Sequence, residues 1–186
     1  DTGLLDRTPI EAMRALRARL ADGDLLLIAL RLIAAPAVFT AAVVRAQAGE
    51  APIKPDPRLG HAADILRMLR GRPANRAEVE ALDTYLVTVS DHGLNASTFA
   101  ARVIAATRAG LTSAVLGGIS ALKGPLHGGA PGPVIEMLDG IGTPGRARAW
   151  IEQALDRGDR LMGFGHRVYK VRDPRADALK RAVRQL

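Results

Sequence analysis

An all-helical fold is the class that this sequence predicts, and three observations support the prediction. Apolar residues recur at helical spacing along most of the chain, no segment alternates convincingly as a strand does, and helix-start signals precede several apolar stretches. The chain has 186 residues, of which 48% are hydrophobic, so it can bury roughly 70% of its unfolded surface. Because aromatic residues are only 3% of the chain, we expect a core of Ala, Leu, Val and Ile.

Helix-start and helix-stop signals divide the chain into predicted elements. The first helix, "TPIEAMRALRARL", has Thr8 as its N-cap residue. After a proline-rich loop, another helix is predicted over 59–70, and the next one begins at Asn75 with Glu78 in capping-box spacing. The remaining predicted helices are "ASTFAARVIAATRAG" closed by Gly110, "LTSAVLGGISALKG", "PVIEMLDGIG", "TPGRARAWIEQALDRG" capped by Thr143, and a last helix from Pro174.

The apolar run that begins at Leu25 is long enough to resemble a membrane span. Arg31 lies inside it, at a cost of roughly 2.5–3.5 kcal/mol at a bilayer centre, and Pro36 interrupts it. These two residues favour a buried core or interface helix over a membrane span.

Composition excludes several classes of protein. The chain contains no cysteine, which removes disulfide scaffolds, thiolate zinc sites and cysteine nucleophiles. The segment "DTGLLDRTPI" lacks the pattern of a signal peptide, so we expect a cytoplasmic protein. The net charge is +7, but the arginines are interleaved with acidic residues instead of forming a basic cluster with aromatics. The pattern therefore favours neither a nucleic-acid partner nor a membrane partner.

Three of the four histidines lie at predicted helix–loop junctions, in "SDHGLNAST", "GPLHGGAPGP" and "GFGHRVYKVRDPRA". Four glycines and three prolines surround His127, so its segment cannot be the interior of a helix or a strand. The fourth histidine, His61, starts an ordinary helix and is interpreted as a packing or surface residue. No HExxH pattern or clustered carboxylates accompany these histidines, so we expect no metal site.

The "GFGH" segment is not a dinucleotide fingerprint, because a third glycine and a preceding strand are both missing. Its glycines would let a planar or phosphate-bearing ligand approach the backbone, and Lys170 and Arg172 suit an anion. A tight loop with solvated charges accounts for this segment equally well when it is taken alone.

Taken together, the three histidine segments resemble the citrate synthase family, in which they occur in the same order. The resemblance runs from about Thr8 to the end and corresponds to the middle of a full-length member. It implies an all-α fold in which a smaller domain closes on a larger one. Residues 1–126 would belong to the large helical domain, and residues 127–186 to the hinge and an incomplete small domain.

The resemblance also implies a reaction and its site residues. Citrate synthases enolise acetyl-CoA, add the enol to the ketone of oxaloacetate and hydrolyse citryl-CoA. His127 matches the histidine that stabilises the enol, and His166 the one that polarises and protonates the ketone. His92 matches a histidine that binds oxaloacetate, and Arg175 an arginine that pairs with a substrate carboxylate. Asn95 either caps its helix or orients the substrate.

Coenzyme A is the second ligand that the resemblance implies, with acetyl-CoA as co-substrate and no permanently bound cofactor. The residues that match its binding segment are Met162, Gly163, Phe164, Gly165, Lys170 and Arg172. Two departures stand out. Pro131 replaces the Asn that often follows "HGGA", and the family's catalytic aspartate matches no residue up to Leu186. We therefore expect the chain by itself to be inactive.

Alternatives remain open at two points. A stripe of small residues in "AGLTSAVLGGISALKG" indicates close helix packing, either across a homodimer, as the resemblance implies, or within one subunit. The motifs also suit a 2-methylcitrate synthase that uses propionyl-CoA, a citryl-CoA lyase module, or a non-catalytic helical dimerisation fragment.

Overall fold

The computed structural model describes residues 25–91, 93–129, 131–164 and 173–186. Every regular element in these ranges is helical, which confirms the predicted fold class. The α-helices in them are α1 (Leu25–Gln47), α2 (His61–Arg70), α3 (Arg76–Val89), α4 (Ala96–Ala106), α5 (Leu111–Leu122), α6 (Gly132–Ile141), α7 (Ala147–Asp156) and α8 (Pro174–Val183). The helix predicted to follow Thr8 lies outside the described residues.

The chain divides into two compact units. The first contains the described residues up to Leu122 together with Pro174–Leu186, and the second is Lys123–Asp173. The sequence predicts a domain boundary between residues 126 and 127, with everything after it in one domain, whereas the contacts group α8 with the first unit. The assignment to a large and a small domain stays a prediction.

In the first unit, the helices pack around α1 and the α4–α5 pair. Helix α4 lies along α5, α1 packs on α2 and α5, α2 contacts α3, and α3 contacts α8. Buried apolar side chains on four of these helices form the core, namely Ile28, Leu32, Ala35, Ala41, Val43, Ala62, Leu66, Met68, Ala114 and Ala182. The core therefore consists of the Ala, Leu, Val and Ile side chains that the low aromatic content predicts, together with Met68, which was not predicted.

Helix α1 is long and apolar enough to cross a membrane, by length and composition only. One face of α1 is buried, with Ile28 and Leu32 in the core, and the choice of a packed helix over a membrane span stays a prediction. The other face carries the exposed side chains of Leu26, Leu30 and Ile33. Within the most apolar 18-residue stretch of α1, 28% is buried inside the structure.

The small-residue stripe of α5 is explained by packing against α4 of the same chain. A Cβ atom added at Gly118 would lie 3.2 Å from the Ser97 carbonyl oxygen and 3.3 Å from the Ala101 Cβ. One added at Gly117 would overlap the Ile104 Cδ1. The sequence leaves two explanations open for the stripe. The contacts with α4 correspond to the second of them, which is close packing within one subunit.

The start of α3 confirms the predicted capping box. The Asn75 Oδ1 accepts a hydrogen bond from the Glu78 N–H at 2.9 Å, and the Glu78 Oε2 accepts one from the Asn75 N–H at 2.9 Å. The backbone bond from Asn75 and the Arg70 guanidinium both lower the pKa of the Glu78 carboxyl. The predicted start of the last helix at Pro174 is also observed.

Two predicted helix ends are wrong. Helix α4 ends at Ala106 instead of Gly110, because Arg108 already adopts a left-handed conformation with φ 60°. Thr143 does not cap α7: it precedes a 3₁₀ turn at Pro144–Arg146, and its side chain makes no capping hydrogen bond. The Arg146 N–H donates to the Thr143 carbonyl oxygen at 3.0 Å, closing the tighter i to i+3 turn before α7 begins.

Candidate functional site

His127 lies on a turn that connects α5 to α6, in the second unit. The turn is closed by one acceptor, the Gly124 carbonyl oxygen. This oxygen accepts the His127 N–H at 3.0 Å and the Gly129 N–H at 3.2 Å. The irregular backbone predicted around His127 is therefore observed, and two of its amide groups donate hydrogen bonds within the turn.

The environment of His127 suits a group that acts on a ligand. His127 is half-buried, while the neighbouring Leu126 side chain is 89% exposed. The Gly132 N–H donates to the Gly129 carbonyl oxygen at 3.3 Å, which joins the turn to the start of α6. These bonds restrain the backbone from which the imidazole projects, and a well-placed N–H donor can stabilise an oxygen that gains negative charge.

The Met162–Phe164 segment, which the resemblance assigns to coenzyme A, packs on the same helix α6. Gly163 has φ +83°, and a Cβ atom added there would lie 3.4 Å from the Val134 Cγ2. Phe164 is 67% exposed. Helix α6 thus carries the His127 turn at its start and this segment on its side, so the structure brings both parts of the predicted site into one unit.

An open groove of about 420 Å³ lies between α6, α7 and this segment. The lining residues are Pro133, Glu136, Met137, Trp150, Asp159, Arg160 and Met162. The indole of Trp150 lies against Gly140, where an added Cβ would be 3.3 Å from the Trp150 Nε1. Two methionines and an indole give the groove an apolar wall, and charged residues stand at its edge.

Trp150 and Arg160 line the groove but were not predicted as site residues from the sequence. The available signal is that Trp150 is the only tryptophan in a chain with 3% aromatic residues. Tryptophan offers a flat apolar face with one polar edge, which suits a ligand that has a planar ring. The periodicity of the sequence does not show that the indole of Trp150 lies near Met162, because α7 and the loop after it meet α6 only in the folded unit.

Asn95 belongs to the first unit, where it caps α4. Its Oδ1 accepts the Thr98 N–H at 3.0 Å and the Ser97 hydroxyl at 2.7 Å. Just before it, the Asp91 Oδ1 accepts the Gly93 N–H at 2.9 Å. The structure therefore shows the capping alternative for Asn95, while a role in orienting substrate stays a prediction.

Arg175 also belongs to the first unit, in the first turn of α8, and it is half-buried. Helix α8 packs on α3, and the chain that leaves α3 leads directly to the segment with Asn95. Predicted site residues that lie outside the described residues are His92, Gly165, His166, Lys170 and Arg172.

Within the described ranges, no three His, Cys, Asp or Glu residues stand close enough together to hold a metal ion. Of the three loop histidines, these ranges include only His127. The absence of a metal from the mechanism stays a prediction.

These features define an all-helical protein with a histidine on a glycine–proline turn and, in the same unit, a groove walled by tryptophan and methionine. The family model described as citrate synthase, C-terminal domain, matches residues 6–186. A 2-methylcitrate synthase of Mycobacterium tuberculosis is 42% identical over 158 residues, covering 85% of this chain and 40% of that protein. A citrate synthase of Haloferax volcanii is 47% identical over 140 residues, covering 75% and 37%.

Solved structures agree with this match. The crystal structure of citrate synthase from Thermotoga maritima superposes with a TM-score of 0.79 at 35% identity, covering 97% of this chain and 49% of that one. The Thermoplasma acidophilum citrate synthase, in ternary complex with carboxymethyl coenzyme A and oxaloacetate, gives a TM-score of 0.71 at 34% identity, covering 91% and 46%. The chain belongs to the citrate synthase family. It spans less than half the length of each of these four relatives.

Proposed function

We propose that the protein acts as a citrate synthase-type enzyme, which condenses acetyl-CoA with oxaloacetate and releases citrate and coenzyme A. The observation that carries the proposal is the histidine turn at the start of α6, within a family match that extends over residues 6–186. The solved relative that holds oxaloacetate together with a coenzyme A derivative supports these two substrates.

In the proposed reaction, His127 acts at the thioester carbonyl. A base removes a methyl proton from acetyl-CoA, and the electron pair moves toward the carbonyl oxygen as the enol forms. The His127 imidazole N–H donates to that oxygen and stabilises the charge as it develops. A donor fixed in this way contributes about 3–4 kcal/mol to transition-state stabilisation.

The enol carbon then attacks the ketone carbon of oxaloacetate, and the ketone oxygen takes a proton from His166. Hydrolysis of the thioester in citryl-CoA releases citrate and the coenzyme A thiol. We assign oxaloacetate binding to His92, Asn95 and Arg175. The planar guanidinium of Arg175 suits a substrate carboxylate, because it can donate two parallel hydrogen bonds.

We assign the coenzyme A portion to Met162–Phe164 and to the Gly165, Lys170 and Arg172 that follow. The groove lined by Trp150 and Met162 extends this site along α6. Its apolar wall and planar indole suit the ring of a nucleotide, and lysine and arginine side chains suit its phosphates.

Acetyl-CoA is expected to change the fluorescence emission of the chain, because the only tryptophan lines this groove. A titration up to about 1 mM, the upper end of common KM values, should give a saturable change in the emission of Trp150. Oxaloacetate alone serves as the ligand control, and the Met162→Ala variant should weaken the acetyl-CoA response. An emission spectrum that stays constant throughout would contradict the assignment of this groove.

Propionyl-CoA is the alternative acyl donor. The 42% identity to a 2-methylcitrate synthase supports this alternative. One additional methylene changes the transition-state binding energy that discriminates between the two acyl donors by only about 1–3 kcal/mol. The ratio of kcat/KM for acetyl-CoA and propionyl-CoA decides between the two activities, measured with oxaloacetate in excess in the chain extended to the length of its relatives. A cytoplasmic location without nucleic-acid or membrane partners remains the prediction from composition.

The proposed assembly is a homodimer, and the outer face of α4 provides a surface for it. Phe99 is 59% exposed and Val103, one turn later, is 50% exposed. At helical spacing, these side chains lie opposite Ser97 and Ala101, which face α5. A second copy would bury this apolar face in a two-fold symmetric contact, the commonest arrangement of soluble oligomers.

Phe99→Asp is expected to shift the chain from dimer to monomer, because a carboxylate cannot be buried in an apolar contact without a partner. Sedimentation velocity over a concentration series measures the shift. Val87→Asp is the matched control, since Val87 is 71% exposed on α3 and lies outside the proposed surface. A dimer that persists in Phe99→Asp, or an unmutated chain that stays monomeric throughout the series, would count against this surface.

A further inference from the structure

We propose that Gly129 is a positioning residue for His127, required because its missing Cβ leaves room for the backbone that holds the histidine. The inference rests on the proposed function, since it gives His127 its catalytic purpose, but its geometric part can be tested without any activity. Gly129 is not among the site residues predicted from the sequence, so this role is an addition to the site.

The first observation is the shared acceptor of the turn. The Gly124 carbonyl oxygen receives both the His127 N–H and the Gly129 N–H. The backbone amide of the histidine is thus tied to the same atom as the backbone amide of Gly129. Any displacement of that oxygen changes the position of His127.

The second observation is the space around Gly129. A Cβ atom added there would lie 3.1 Å from the Pro125 Cα, 3.2 Å from the Gly124 carbonyl oxygen and 3.5 Å from the Gly124 carbonyl carbon. The two shortest of these distances are below ordinary van der Waals contact, and all three involve backbone atoms. A flexible side chain could rotate away, but these backbone atoms can move only if the turn itself changes.

Pro125 makes that change more difficult. Its ring restricts φ, so the backbone around the shared acceptor has fewer ways to relax. An alanine at position 129 therefore has to displace the Gly124 oxygen or open the hydrogen bond that closes the turn. Either adjustment moves the His127 imidazole away from the position where the thioester oxygen would meet it.

The same loop provides a matched control. Gly132 lies three residues further, at the start of α6, and a Cβ atom added there would meet nothing within 4 Å. Gly132→Ala therefore introduces the same methyl group close by without touching the turn. A difference between the two alanine variants reports on the turn and not on a general loss of glycine flexibility.

The first experiment uses the 186-residue chain and nuclear magnetic resonance. Gly129→Ala should shift the backbone amide and imidazole signals of His127, with unchanged far-ultraviolet circular dichroism and Trp150 emission, whereas Gly132→Ala should leave the His127 signals in place. If Gly129→Ala does not fold, amide hydrogen exchange in the unmutated chain replaces this comparison. Slow exchange at both His127 and Gly129 supports the shared acceptor, and exchange of both at unprotected rates overturns the proposal.

The second experiment measures catalysis in the chain extended at both ends to the length of its citrate synthase relatives. Misplacement of a catalytic group by about 1 Å can cost a factor of about 100. Gly129→Ala should therefore lower kcat by about 10-fold to 100-fold, with the oxaloacetate KM little changed, and Gly132→Ala should stay within about twofold of the parent.

The outcomes separate this inference from the proposed function. An active parent in which Gly129→Ala and Gly132→Ala have equal kcat overturns the positioning role and leaves the proposed function intact. A parent that releases no coenzyme A thiol overturns the proposed function, while the resonance comparison still decides whether Gly129 holds His127. His127 signals that are identical in Gly129→Ala and the parent overturn the geometric claim.

Discussion

His127→Ala is expected to lower kcat by about 10²-fold to 10³-fold in the chain extended to the length of its relatives, the loss seen when one oxyanion donor is removed. The imidazole should contact the thioester oxygen chiefly as the enol forms, so its stabilisation appears in the transition state. A contact of that kind lowers kcat and kcat/KM together. The oxaloacetate KM should change little, because His127 is assigned to the acetyl group.

Release of the coenzyme A thiol, followed with a thiol-reactive dye, measures this prediction. The 186 residues contribute no cysteine that could react with the dye, and an assay without oxaloacetate measures any background reaction from the added segments. His61→Ala is the matched control, since His61 is an exposed histidine at the start of α2, in the other unit. An unchanged kcat in His127→Ala, or equal losses in the two variants, would contradict the role assigned to His127.

The 186-residue chain by itself is expected to turn over at least about 10²-fold to 10⁴-fold more slowly than the extended chain, the contribution of one positioned acid–base group. The prediction rests on the resemblance to citrate synthases, from which we expect the catalytic aspartate downstream of the "DPR" motif and outside the 186 residues. We also expect that further helices are needed for the cleft to close and exclude water, which would increase the loss.

Thiol release at matched concentrations of the two chains measures this difference. The acetyl-CoA response of Trp150 emission serves as the control, since it reports whether the groove of the shorter chain is formed. Near-equal rates would show that the base lies within these 186 residues. The prediction that the catalytic aspartate lies outside them would then be wrong.

Helix positions were predictable wherever the signal is local. The capping box of Asn75 and Glu78 and the proline at the start of α8 each involve residues a few positions apart, so adjacent sequence is sufficient to place them. The two errors arose where two local signals compete. Arg108 takes the left-handed turn before Gly110 is reached, and Pro144 with Gly145 forms a 3₁₀ turn where Thr143 was expected to cap a helix.

The candidate site was predictable only in part. The composition around His127 indicates an irregular turn, and the three motifs indicate the family. The role proposed for Gly129 was not predictable, because only the structure shows that backbone atoms of Gly124 and Pro125 in the same turn closely border its Cβ position. Trp150 was missed because its neighbours in the groove are distant in sequence.

The sequence by itself determined the helical class, most helix boundaries, the irregular turn of His127 and the resemblance to citrate synthases, because each depends on residues that are close together along the chain. Only the tertiary structure decided that Gly117 and Gly118 serve the contact with α4, that α8 joins the first unit, and that Trp150 and Met162 share a groove. These features depend on distances between segments that are far apart in sequence, and such distances are set by packing, which periodicity and capping do not encode.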